Sequence, residues 1–117
     1  MLRFYGYKKC GPCRKAEQFL RQTGIAYEFI DITENPPTVE ELAAIVECTN
    51  TPLKKFFNTS GVQYRELKIK DQLPGLSDQE ILVLLASNGR LIKRPLITDG
   101  KRATVGFNAE QFATAWG

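Results

Sequence analysis

Two cysteines, Cys10 and Cys13, stand either side of Gly11-Pro12 in the stretch YGYKKCGPCRKAEQFL. Cysteines at this spacing serve as a redox dithiol, serve as half of a metal knuckle, or are small residues that merely fall close together. The rest of the composition removes one of these. There are no histidines, so the Ser-His-Asp and Cys-His mechanisms and all His-ligated metal sites are excluded. Three cysteines cannot build the usual four-ligand zinc site, and the third, Cys48, lies far along the chain. A structural disulfide framework is disfavoured by the odd count and by a reducing compartment. A redox dithiol and a pair of small core residues both stay open at this point.

What positions the pair is more specific than the spacing. Leu2, Phe4 and Gly6 alternate with Arg3, Tyr5 and Tyr7, which predicts a short strand. Pro12 suits the first turn of a helix, where its missing N–H costs nothing. Cys13, Ala16, Phe19 and Leu20 then recur at helical spacing, and Gly24 supplies the stop. The segment IAYEFIDI reads as a second strand. The cysteines therefore fall at a strand-to-helix turn. Backbone N–H groups and the helix dipole stabilise a thiolate there, and Lys8, Lys9 and Arg14 add positive charge nearby. Cys10 is the expected nucleophile. Cys13, one turn inside, is the expected resolving thiol. Cys48, near the end of an apolar helix, reads as a buried small hydrophobe.

The remaining elements follow from caps and breakers. Pro36 and Pro37 end the second strand, and Thr38 with Glu41 forms a capping box for a helix bearing Val39, Leu42, Ile45 and Val46. Short helices broken by Pro52, NTSG and Pro74 are expected between Cys48 and Leu73. Ser77 and Glu80 cap a helix through QEILVLLAS, stopped at Asn88-Gly89. The strands RLIKRPLIT and RATVGF flank an Asp99-Gly100 turn, a hairpin signal. Asn108 with Gln111 caps a last helix ending near Trp116. The predicted order is β-α-β, a helical insertion over about residues 37–88, then β-β-α. This is an α/β, thioredoxin/glutaredoxin-like fold, read as one domain over residues 1–117 with the insertion as a lobe between its halves.

The chain is 117 residues long with a net charge of +3, and no lysine/arginine run exceeds two residues. That balance does not argue for direct nucleic-acid binding, though it is compatible with an anionic ligand. No stretch approaches a membrane span, and the opening apolar run is cut short at Tyr7, Lys8 and Lys9. A cytoplasmic, soluble monomer is expected, with no metal and no bound cofactor.

Taken together, FYGYKKCGPCRKA, ENPPTVEEL, FFNTSGVQYREL, LLASNGRLIKRPLI and RATVGF resemble the arsenate reductase-like (ArsC) family of thioredoxin fold over nearly the whole chain. That family includes glutaredoxin-linked arsenate reductases and the Spx/MgsR-type regulators. The resemblance implies a nucleophile at Cys10, followed in the same helix by Arg14. It also implies a cis peptide bond at Arg94-Pro95, with the Arg94 guanidinium facing the active cysteine. A guanidinium beside a thiolate can hold an oxyanion through its fork.

The chain departs from the arsenate reductases in three places. Asn58 stands where they carry an oxyanion-binding arginine in the insertion. A second such arginine matches the neighbourhood of Gly106, with Arg102 as an unmatched substitute. Cys13 stands where they usually have serine. The substrate-binding set implied is Arg14, Arg94 and Asn58, an incomplete oxyanion pocket beside a more thioredoxin-like dithiol. The favoured function is thiol–disulfide oxidoreduction, with glutaredoxin, thioredoxin or glutathione as electron donor. The alternatives are arsenate reduction and an Spx-type redox switch that binds the α subunit of RNA polymerase. The pair Lys54-Lys55 gives the lobe a basic edge, which by itself reads as a solvated face.

Overall fold

The computed structural model describes residues 2–49 and 51–117. Four strands form one sheet: β1 (Leu2–Gly6), β2 (Tyr27–Asp31), β3 (Leu96–Thr98) and β4 (Ala103–Val105), in the order β2-β1-β3-β4. β1 and β2 run parallel, with Phe4 opposite Phe29. β3 lies antiparallel to both β1 and β4, with Phe4 opposite Ile97 and Leu96 opposite Val105. Helix α1 (Gly11–Gln22) makes the crossover from β1 to β2, and α6 (Ala109–Trp116) follows the hairpin.

Side chains alternate across the sheet, so each face buries its own core. Leu2, Phe4 and Ile97 point toward α1 and α6, where they pack with Cys13, Ala16, Leu20, Phe112 and Trp116. Tyr5, Leu96 and Val105 belong to the opposite core, with Ile32, Leu42, Ile45, Phe56, Phe57, Ile81 and Leu85. That second core is the underside of the insertion: α2 (Val39–Glu47), the short helices α3 (Val62–Glu66) and α4 (Ile69–Gln72), α5 (Asp78–Ser87), and single 3-10 turns at Leu53–Phe56, Leu73–Gly75 and Gly89–Leu91.

The caps form where the sequence placed them. Thr38 Oγ1 accepts the Glu41 N–H while Glu41 accepts the Thr38 N–H, and Ser77 and Glu80 repeat the arrangement. Asn108 Oδ1 accepts from Gln111 N–H at 3.0 Å. Gly24, at φ 75°, ends α1 in the left-handed conformation.

The expected strand RLIKRPLIT is strand only from Leu96 to Thr98. Its first two residues close the 3-10 turn Gly89–Leu91, Ile92 makes a single bridge to Phe57, and Arg94-Pro95 follows with a cis peptide bond. Pro95 has no N–H to give a ladder, so regular pairing starts after it. Among the described residues, no helix is long and apolar enough to cross a membrane.

Candidate active site at the CxxC turn

The site begins at the end of β1. Cys10 N–H donates to the Tyr7 carbonyl at 3.1 Å, which turns the chain back toward the sheet. Cys10 is extended, at φ −90° and ψ 120°, and is the N-cap of α1. Its Sγ accepts the Cys13 N–H at 3.3 Å, the bond that a serine or aspartate oxygen makes in an ordinary cap. The sulfur thus lies at the positive end of the helix dipole, with an N–H already directed at it. Pro12 in the first turn brings no competing donor.

Cys13 is buried, at 1 % exposed. Its seat depends on Gly6: a Cβ there would lie 2.6 Å from the Phe4 ring and 3.2 Å from the Cys13 sulfur. Sequence reading gave Gly6 no role beyond its place in the alternation. A small residue at an inward strand position, just ahead of a CxxC turn, was the available signal. The Cys13 thiol is pushed up to about 12, chiefly by burial and then by its hydrogen bond to the Cys10 sulfur. The Tyr7 backbone and the charge of Arg94 work in the opposite direction. At neutral pH Cys13 is therefore a protonated thiol directed at Cys10. All three cysteines are free thiols.

Positive charge surrounds this turn. The half-buried Arg94 guanidinium lies 5.5 Å from the centre of the Tyr7 ring. The buried Pro95 accepts the Gly106 N–H at 2.9 Å through its carbonyl, fixing the turn to the end of β4. Arg14 is exposed, and its Nε donates to the Lys8 carbonyl at 3.4 Å. Arg14, Lys8, Arg21 and Glu17 line a cavity of about 400 Å³ whose other walls are Tyr7, Phe29 and Cys13.

The predicted site residues divide between two places. Cys10, Cys13, Arg14, Arg94 and Pro95 gather at the CxxC turn. Asn58 lines a different cavity with Lys54, Lys55 and Lys93, its N–H donating to the Leu91 carbonyl at 2.7 Å. Arg102 does not substitute for the arginine missing near Gly106. It bonds Asp99 and the Ala115 carbonyl and packs over the Trp116 ring. Lys93 occupies the space at Gly106 instead, where an added Cβ would lie 2.8 Å from Lys93 Cε. Cys48 caps α2 and is half-buried rather than buried, because it falls past the stripe of Leu42 and Ile45 that faces the core. Among the described residues, no group of three or more His, Cys, Asp or Glu could hold a metal ion.

This arrangement can be set against known proteins. The model of the ArsC family matches residues 5–115. The uncharacterized protein YusI of Bacillus subtilis is 54% identical over 115 residues, 98% of each chain. The global transcriptional regulator Spx of Enterococcus faecalis is 33% identical over 112 residues, 95% of this chain and 83% of the regulator. The crystal structure of an ArsC family related protein from Bacteroides fragilis superposes with a TM-score of 0.93 at 42% identity, over 97% of this chain and 95% of that one.

Proposed function

The chain belongs to the ArsC family, and from that premise we propose that it is a thiol–disulfide oxidoreductase in which Cys10 attacks and Cys13 resolves. The observation that carries this is the division of labour in the turn. One sulfur is partly exposed at a helix N-terminus, and the other belongs to a buried, protonated thiol whose own backbone N–H is donated to the first.

The cycle runs through two exchanges. The Cys10 thiolate attacks one sulfur of a substrate disulfide; that S–S bond breaks, and the departing thiolate is left to take a proton. Cys13 gives its proton to that first thiolate and attacks the Cys10 sulfur of the mixed disulfide; that S–S bond breaks, and the second substrate sulfur leaves as a thiolate that takes a proton from solvent. The products are a reduced substrate and a Cys10–Cys13 disulfide, two electrons poorer than the dithiol. Glutaredoxin, thioredoxin or glutathione, all thiol donors, return those electrons by exchange. Arg94 holds positive charge beside the pair and favours thiolate during each transfer.

Arsenate is the weaker substrate in this reading. Asn58 is neutral where the family's arsenate reductases carry an arginine, and it lies in a different cavity from Cys13. A charge-assisted bond is worth roughly 1.5–3 kcal/mol, so one missing contact weakens oxyanion binding by about tenfold or more. The identity to Spx supports a second reading, a redox switch that acts by binding the α subunit of RNA polymerase.

One experiment separates the three. Purified reduced protein is given 2-hydroxyethyl disulfide, arsenate with glutaredoxin, and the isolated C-terminal domain of the polymerase α chain. The oxidoreductase reading expects disulfide turnover that Cys10→Ser lowers by about a thousandfold or more. It also expects diamide to remove two protons from the wild type but not from Cys13→Ser. Arsenate turnover equal to that on the disulfide refutes the preference. Polymerase binding without turnover selects the switch.

A further inference from the structure

The cavity that holds Asn58 carries charge that the dithiol chemistry does not use. Lys54, Lys55 and Lys93 line about 500 Å³ of space with Asn58, Thr59 and Ser60. All three lysines are exposed, and among the described residues none of them is in an ion pair. Like charges around one concavity repel each other, and an anionic occupant relieves that repulsion.

The frame beneath the lysines is stiff. Lys93 N–H donates to the Phe56 carbonyl at 2.7 Å, Asn58 N–H donates to the Leu91 carbonyl at 2.7 Å, and Phe57 and Ile92 form a β-bridge. Gly106 leaves room for the Lys93 stem. The frame also leads directly to the thiols. Lys93 is followed by Arg94, whose charge reaches Cys13 and whose guanidinium lies over Tyr7.

From this we propose that the Lys54/Lys55/Lys93 groove docks an acidic segment flanking the disulfide of a protein substrate. The proposal rests on the dithiol reading and names its class of substrate. The charge supplied by three lysines is point-like, which suits several separate carboxylates rather than one oxyanion gripped by guanidinium forks. Asn58, Thr59 and Ser60 supply neutral groups able to hydrogen-bond a peptide backbone. The one aromatic in the lining, Phe57, is 2 % exposed and offers no face for a base to stack on, which disfavours single-stranded nucleic acid.

The test compares disulfide peptides of equal length with aspartate/glutamate or lysine/arginine flanks, with 2-hydroxyethyl disulfide as reference. At low salt the acidic peptide should exceed the basic one in kcat/KM by about tenfold or more. The gap should close near about 0.5 M salt. The triple variant Lys54→Gln, Lys55→Gln, Lys93→Gln should lose the gap, and the matching arginine variant should keep it. An acidic preference that survives in the glutamine variant overturns the proposal, since Lys8, Lys9 or Arg14 would then carry it. So does equal turnover of the two peptides by wild type.

If no disulfide is reduced, the dithiol reading fails, and the groove is judged by fluorescence anisotropy with a labelled acidic peptide whose cysteines are replaced by serine. Binding by wild type that the glutamine variant loses keeps the groove. No binding by wild type, or equal binding of an oligodeoxynucleotide of the same charge, removes it.

Discussion

The two faces of the sheet are closed by different means. Toward α1 and α6 the core is small and aromatic: Phe4 stacks on Phe29 at 5.4 Å, and Phe112 meets Phe19 and Phe107 edge-on. Two capped helices of ordinary length cover it, and its one polar bond of note runs from Trp116 Nε1 to Thr104 Oγ1, both residues buried. Toward the insertion the core is larger, mostly aliphatic around Tyr5, Phe56 and Phe57, and assembled from short pieces, held by two capping boxes and three 3-10 turns. Chemistry follows that difference. The first face offers a dry pocket at a helix start, which can keep one thiol protonated while its neighbour reaches solvent. The second offers polar turns on a stiff backbone frame, and its lysines ring an open cavity.

The largest test of this contrast lies in its glycines. A Cβ at Gly89 would lie 1.7 Å from the Ile32 carbonyl oxygen, a backbone atom with nowhere to go. Gly89→Ala should therefore destabilise the protein by more than about 3 kcal/mol in urea unfolding. Gly11→Ala meets nothing within 4 Å and should change stability little. Equal effects would mean that the insertion is not pinned to the end of β2.

Next comes the buried thiol. Cys13 is raised from 9.0 to about 12. Between those values the folded state binds a proton that the unfolded state has lost. Stability from this group is thus complete below pH 9 and lost as pH rises toward 12. Under reducing conditions, wild type should lose stability with a slope about one proton steeper than Cys13→Ala across that window. Tyr5, raised by burial on the opposite face, contributes in the same direction, so Tyr5→Phe serves as the matching control there. Parallel pH curves for wild type and Cys13→Ala would show that Cys13 is not held protonated by the fold.

Arg94 links the two regions. Arg94→Ala should slow attack by Cys10 on 2-hydroxyethyl disulfide by about tenfold at neutral pH. Stopped-flow traces with unchanged rates would detach the guanidinium from the reaction.

The smallest effect is expected at Arg3 and Glu41, which join β1 to α2 at 2.9 Å with side chains 39% and 38% exposed. Arg3→Gln should cost less than about 1 kcal/mol, and high salt should erase the difference. A larger, salt-insensitive loss would make this ion pair a true clasp between the faces.

What was legible in the sequence was local. CGPC between an alternating strand and a helical repeat defines the turn, because an N-cap needs only the residues within one helical turn of it. Thr38 with Glu41, Ser77 with Glu80 and Asn108 with Gln111 announce their helices for the same reason. The family motifs pointed to Arg94-Pro95, whereas composition and spacing alone place Arg94 within an ordinary strand. The stretch RLIKRPLIT shows the limit from the other side: its composition favours strand, while the Arg94-Pro95 turn and the bridge between Phe57 and Ile92 settle its path.

Everything that depends on distant partners waited for the tertiary structure. Gly6 matters because Phe4 and the Cys13 sulfur converge on it, and Gly89 because the end of β2 passes within contact. Asn58 lies among lysines that come from two segments far apart in the chain, and Arg102 turns away to α6. Sequence by itself determined where most of the elements form and which cysteine caps α1, since caps, breakers and dipoles act over a few residues. Tertiary packing decided how deeply Cys13 is buried and which charges share a cavity, since desolvation and Coulomb interactions depend on distance in space.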